Sequence, residues 1–136
     1  MIKEIESRLN HFATLPDGWD LHGVHFKTDV IAAARRLSRR AARYGFTNQE
    51  VHAEHQGAVL LCIWPTRDSQ FQVGIEADGT FELVLNDCHE MGLPSVEQGG
   101  FTFEQIAERL RWMSDAVRAQ GPPNIVLTSF NAEAFV

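Results

Sequence analysis

The run Phe71-Gln72-Val73-Gly74-Ile75-Glu76-Ala77-Asp78-Gly79-Thr80-Phe81-Glu82-Leu83-Val84-Leu85 decides the fold. Phe71, Val73 and Ile75 alternate with Gln72, Gly74 and Glu76, and Phe81, Leu83 and Leu85 resume the alternation after Asp78-Gly79. A period of two marks a strand with one buried face. An Asp-Gly pair between two such runs predicts a hairpin, with positive φ at both central residues. An antiparallel pair is therefore expected over residues 71–85.

Upstream of the hairpin, Ala58-Val59-Leu60-Leu61-Cys62-Ile63-Trp64 is a continuous apolar run and reads as a central strand covered on both faces. Residues 50–55 form a weaker strand candidate. Ile2, Ile5, Leu9 and Phe12 recur at helical spacing and predict a helix over 2–13. Leu15-Pro16-Asp17-Gly18 ends it, and 16–27 reads as a loop. Val30, Ala34, Leu37, Ala41 and Tyr44 predict a second helix over 28–45, with Asp29 in its first turn and Gly45 just past its end.

Downstream, residues 86–100 read as irregular. A third helix is expected from Thr102, with Phe103, Ile106, Leu110, Met113 and Val117 inward. Thr102 and Gln105 have capping-box spacing, and Phe101 with Ile106 could form a hydrophobic staple. Gly121-Pro122-Pro123 stops this helix, and Ile125-Val126-Leu127-Thr128 adds a last strand or lies in a groove. The order α-α-β-β-β-β-α-(β) indicates one α+β domain over 1–136. Its antiparallel sheet has about four or five strands packed on two or three helices. The helices are expected on one sheet face, leaving the other to a partner or a second subunit; C2 homodimers are the commonest oligomers.

Charge is unevenly placed. Of the 136 residues, 12 are Lys or Arg and 18 are Asp or Glu, for a net charge of −6. Residues 28–45 hold five Arg and one Asp, a local +4, which leaves −10 on the rest. An acidic body argues against a whole-surface nucleic-acid binder, because duplex affinity comes mainly from cations neutralising phosphates. Arg36, Arg39, Arg40 and Arg43 are related by i, i+3 and i+4, so they are expected to form an outward stripe with Arg35 beside it. That stripe is either a solvated face or a binding strip for an acidic protein partner; RNA is a weaker candidate, since few aromatic residues interleave with the arginines. Two cysteines, Cys62 and Cys88, are too few for a disulfide framework. No signal-peptide pattern opens the chain, and the longest apolar run, 58–64, is too short to span a bilayer, so a cytoplasmic location is expected.

Chemistry-bearing residues fall in three clusters: Asp20-x-His22-x-x-His25, His52-x-x-His55 and Asp87-Cys88-His89-Glu90. Zinc needs about four such ligands converging in a structural site. On a strand, His52 and His55 would point to opposite faces. No CxxC, H-E-x-x-H, G-x-S-x-G, phosphate loop or dinucleotide fingerprint occurs, so no metal, cofactor or catalytic residue is assigned. In Gly18-Trp19-Asp20, glycine allows a turn, Trp19 plugs the space between the first two helices, and Asp20 bonds nearby backbone N–H groups as in an Asx turn. The functional alternative is an exposed tryptophan hot spot with an adjacent acid.

Three stretches together resemble a family of small bacterial proteins without an established biochemical activity. Its pattern is a first helix, then L-x-x-G-W-D-G-x-G-A, an amphipathic helix, a strand ending in Trp, and an acidic apolar strand closed by a D-G turn. Here the stretches are Leu15–Val24, Gly57–Trp64 and Phe71–Gly79. Leu21 stands where the pattern has Gly, and His22 where an aromatic such as Tyr is common. Such genes resemble accessory cargo of mobile and phage-related regions, which implies toxin–antitoxin, immunity or anti-defence biology.

The expectation is thus a non-enzymatic interaction protein acting by stoichiometric binding, such as an antitoxin, an immunity protein or a phage-encoded inhibitor of a host defence complex. Its expected contact residues are Trp19, Asp20, His22, Arg36, Arg40 and Arg43. One alternative is a small hydrolase or metalloenzyme built on the 17–25 loop with His55 or His89. Another is an RNA- or DNA-associated accessory factor using the arginine stripe.

Overall fold

The hairpin pairs as its alternation dictates. In the computed structural model, which describes residues 2–88 and 97–119, β3 (Gln70–Ile75) lies antiparallel to β4 (Phe81–Asn86). Phe71 faces Leu85, Val73 faces Leu83 and Ile75 faces Phe81, all six buried. The turn differs from the expected one. Gly79 alone has positive φ, at 88°, while Asp78 does not. The Gly79 N–H donates to the Glu76 carbonyl, and the Glu76 N–H donates to the Thr80 carbonyl. This is the pattern of a longer hairpin loop that places one left-handed glycine after an ordinary turn. Asp78 instead accepts from the Thr80 N–H and hydroxyl, which holds its carboxyl below the usual range.

The remaining strands extend the hairpin on both sides. β1 (Gln49–Ala53), β2 (Val59–Ile63) and β5 (Glu97–Phe101) complete a five-stranded antiparallel sheet in the order β1-β2-β3-β4-β5. Among the described residues each strand pairs only with its sequence neighbours, so the fold is α+β with a simple meander. β5 corrects the reading of 86–100 as wholly irregular. Its Gly99-Gly100 pair shows no apolar alternation, and it joins β4 through a register shift between Phe81 and Leu83. The fifth strand therefore precedes the third helix, and the candidate strand at 125–128 lies outside the described residues, as does the Gly-Pro-Pro stop.

Among the described residues three α-helices back the sheet. α1 (Ile2–Phe12) buries Ile5, Leu9 and Phe12 against α2 and β1. α2 (Thr28–Arg43) buries Val30, Ile31, Ala34, Leu37 and Ala41 over β2 and β3. α3 (Phe103–Ala119) buries Ile106, Leu110 and Met113 and packs on α2 and β4. The capping box forms: Gln105 Oε1 accepts from the Thr102 N–H, and Thr102 Oγ1 accepts from the Gln105 N–H. Phe101 and Ile106 both enter the core. At the α2–β1 joint the buried Gln49 amide accepts from the Ser38 hydroxyl and donates to the Ser38 and Phe46 carbonyls, so both ends of the amide are satisfied.

The apolar run 58–64 is an inner strand, and among the described residues the helices cover one of its faces. Leu61 and Ile63 point to the helices, whereas Leu60 on the opposite face is half-buried and no described element lies over it. Among the described residues no helix is long and apolar enough to cross a membrane.

Candidate interaction surface around Trp19

The loop between α1 and α2 is closed by its own backbone. The Gly18 N–H donates to the Gly23 carbonyl, and the Gly23 N–H donates to the Trp19 carbonyl. Gly18 has φ 87°, as a turn at this glycine requires. Trp19 to Leu21 then form one 3-10 turn in which Asp20 and Leu21 are also left-handed, at φ 50° and 71°. Two consecutive non-glycine residues in this region store strain, and such strain gathers at functional sites.

Trp19 holds the loop to the domain. Its indole stacks on Phe26 at 5.7 Å between centroids, and Nε1–H donates to the Val24 carbonyl at 2.9 Å. Its other neighbour is the His55 ring, edge-on at 5.0 Å. The side chain is thus a half-buried structural plug that leaves part of its ring at the surface. The bond expected of Asp20 to a loop N–H is made by Asp17, whose Oδ1 accepts from the His25 N–H across the loop. The Asp20 carboxylate accepts from His55 Nε2 at 3.0 Å. His22 lies beside the same imidazole, at 6.3 Å between ring centroids.

Of the sequence-predicted residues, Trp19, Asp20 and His22 therefore meet in one cluster, joined by His55 from the β1–β2 turn. The Val24 N–H fixes that meeting by donating to the His55 carbonyl. His25 points elsewhere, its Nδ1 against the Leu15 carbonyl. His52 sits on the sheet with Glu50. Among the described residues no group of three or more His, Cys, Asp or Glu is placed to hold a metal ion. Cys88 is buried with its thiol against the Gln70 and Asn86 carbonyls, and burial pushes its pKa up; His89 and Glu90 lie outside the described residues.

Sequence reasoning misses two exposed apolar residues on this loop. Leu21 is 85% exposed and Val24 48% exposed, next to the Trp19–His55 pair. Nothing in their local pattern signals exposure. The one available sign is that Leu21 occupies a position where the resembling pattern carries glycine, the residue suited to left-handed φ.

Arg36, Arg39 and Arg43 are exposed, as the spacing predicts, but α2 lies between two other helices and its arginines divide between them. Arg35 and Arg39 reach α1, donating to the two Glu6 carboxylate oxygens at 2.9 and 2.7 Å. Burial raises the Glu6 pKa, but the hydrogen bonds and charges of Arg39 and Arg35 outweigh it and leave the carboxyl below its ordinary value. Arg36 and Arg40 turn to the other side, over the Phe103 ring at 4.2 and 5.8 Å. Arg36 also borders a cavity of about 340 Å³ between the α2 N-terminus and the β3–β4 turn. Arg43 is exposed near the helix end. None of the three contacts the Trp19 cluster through a described hydrogen bond, ion pair or ring contact.

No family model matches the chain, and no curated protein or solved structure matches it either.

Proposed function

We propose that the protein is a non-enzymatic interaction module that binds another protein stoichiometrically, with the loop 17–25 and His55 as its contact site. The observation that carries this reading is Leu21: an apolar side chain 85% exposed, held out by a left-handed backbone on a loop pinned at both ends. Exposed apolar residues beside a tryptophan on a rigid support are the material of binding hot spots. The resemblance of the Leu15–Val24 stretch favours antitoxins, immunity proteins and inhibitors of host defence complexes within this class. The test is affinity capture from the native host with the wild-type protein and with Leu21→Asp. A partner retained by the first and lost by the second is expected. A monodisperse wild-type protein that captures no protein at micromolar concentration overturns the reading.

A second reading rests on the Asp20–His55 hydrogen bond. An imidazole oriented by a carboxylate is the base of many hydrolases. Among the described residues Asp20 is the hydrogen-bond partner of the His55 ring, and both cysteines are buried, so such a base would act on water. Turnover of ester or phosphoester probes that is abolished by His55→Ala would favour it over the binding module.

A further inference from the structure

Among the described residues the helices cover one face of the sheet only. On the other face, register places Leu60, Gln72 and Val84 near the centre, all half-buried, with the buried Cys62 among them. Around this mainly apolar patch, in which Gln72 separates Cys62 from Val84, stand Glu50, Glu54, Glu76 and Glu82.

Two glycines let the carboxylates lie along the sheet. A Cβ at Gly74 would fall 2.9 Å from Glu76 Oε2, and one at Gly99 would fall 3.6 Å from Glu82 Cγ. Burial, and then the charges of Glu82, Glu54 and Asp78, push the Glu76 carboxyl above its ordinary pKa. Glu50 has His52 as its neighbour, but no described ion pair reaches Glu54, Glu76 or Glu82. All twelve Lys and Arg of the chain fall within the described residues, so this face carries an unanswered negative charge.

We propose that this face receives a cationic amphipathic segment of the partner protein, apolar side chains on the Leu60–Val84 strip and Lys or Arg side chains on Glu54, Glu76 and Glu82. The proposal rests on the binding-module reading and names the partner's chemistry. Charge complementarity selects this occupant. The chain's own residues 89–96 and 120–136 contain no Lys or Arg. In a second copy the densest run of cations is on α2, and four of its five arginines are already engaged with Glu6 and Phe103. The surface is also continuous with the loop, because Glu54 directly precedes His55, whose carbonyl accepts from the Val24 N–H.

The test uses the full chain and a labelled amphipathic peptide of Leu, Lys and Arg at physiological salt, read by fluorescence anisotropy. Binding is expected, with no binding of the twin peptide in which Glu replaces Lys and Arg. Glu76→Gln with Glu82→Gln removes like-charge repulsion without opening the core, and is expected to weaken binding by about tenfold. Absence of binding, equal binding of the acidic twin, or indifference to the double substitution overturns the proposal. Leu60→Cys reports who occupies the face. Maleimide labelling that the cationic peptide slows supports the proposal. Protection in dilute protein alone assigns the face to the chain's own residues, and protection that grows with protein concentration assigns it to a second copy; both overturn it. A host partner lost by Leu21→Asp but held by Glu76→Gln with Glu82→Gln would overturn the sheet-face inference and leave the module reading standing. A wild-type protein that captures no partner would overturn the module reading instead.

Discussion

A Cβ atom at residue 23 would stand 2.2 Å from Cε2 of Trp19, so the indole occupies the space that glycine leaves at Gly23. The tryptophan of the Gly18-Trp19-Asp20 element is therefore folded back over its own loop, between Phe26 and His55. The two glycines of this loop serve different needs. Gly18 supplies a left-handed backbone with open space around it, whereas Gly23 supplies room. Gly23→Ala is expected to cost about 1–3 kcal/mol by overpacking. Gly18→Ala is expected to cost about 1–2 kcal/mol through backbone strain alone. Urea denaturation measures both, and tryptophan fluorescence separates them: only the Gly23 variant should displace the indole. An unshifted spectrum for Gly23→Ala would refute the packing account.

Leu21 makes the opposite prediction. Its left-handed φ costs about 1–2 kcal/mol for a residue with a Cβ, and glycine removes that cost while adding about 0.5–1 kcal/mol of unfolded-state entropy. Leu21→Gly should thus raise stability by roughly 0.5–1 kcal/mol and weaken partner capture, because the exposed side chain is gone. A gain in one property with a loss in the other marks a residue kept for contact rather than for folding. If Leu21→Gly destabilises the protein, the strain argument fails.

These residues also show where sequence reading reaches its limit. The 71–85 hairpin and the start of α3 are legible because alternation and the Thr102–Gln105 box are local patterns. β5 is not, because its Gly99-Gly100 pair falls at the register shift opposite Phe81 to Leu83 and leaves no side-chain period to read. In the site, Trp19, Asp20 and His22 stand together in the chain and draw attention as a group. Their partner His55 is 35 positions from Asp20, and only the β1–β2 turn brings it there. The arginine stripe is correct as a spacing and incomplete as a surface. A helical wheel gives the direction of Arg36 and Arg39, not the neighbouring helices that receive them.

Those receiving groups give the third prediction. Arg36 lies 4.2 Å from the Phe103 centroid, while Arg43 is exposed at the end of the helix. Arg36→Ala should cost about 0.5–1 kcal/mol through the lost cation–π contact. Arg43→Ala should stay within about 0.5 kcal/mol of wild type. In a double-mutant cycle with Phe103→Leu, most of the loss caused by Arg36→Ala should disappear once the ring is gone. Additive losses would mean that Arg36 acts through solvation and not through the ring.

Glu6 and Glu76 should respond to acid in opposite directions. Glu6 is held below its ordinary pKa against the effect of burial by Arg39 and Arg35, so the folded state binds its proton less readily than the unfolded chain does. Its contribution is present above the unfolded carboxylate pKa and is lost as pH falls through the depressed folded value. Glu76 is raised by burial and by Glu82, Glu54 and Asp78, so its ionised form opposes folding. That penalty is present above the raised folded value and disappears below the unfolded one. Near neutral pH, Glu6→Gln should therefore lose roughly 0.5–1 kcal/mol and Glu76→Gln should gain roughly 0.5 kcal/mol. Both differences should shrink as pH falls toward about 3, where carboxyl groups are largely protonated. Urea denaturation of the three proteins across this range measures the effect. A Glu76→Gln variant less stable than wild type at neutral pH would show that the carboxylates on the open sheet face do not repel one another, and would remove the electrostatic basis for a cationic partner there.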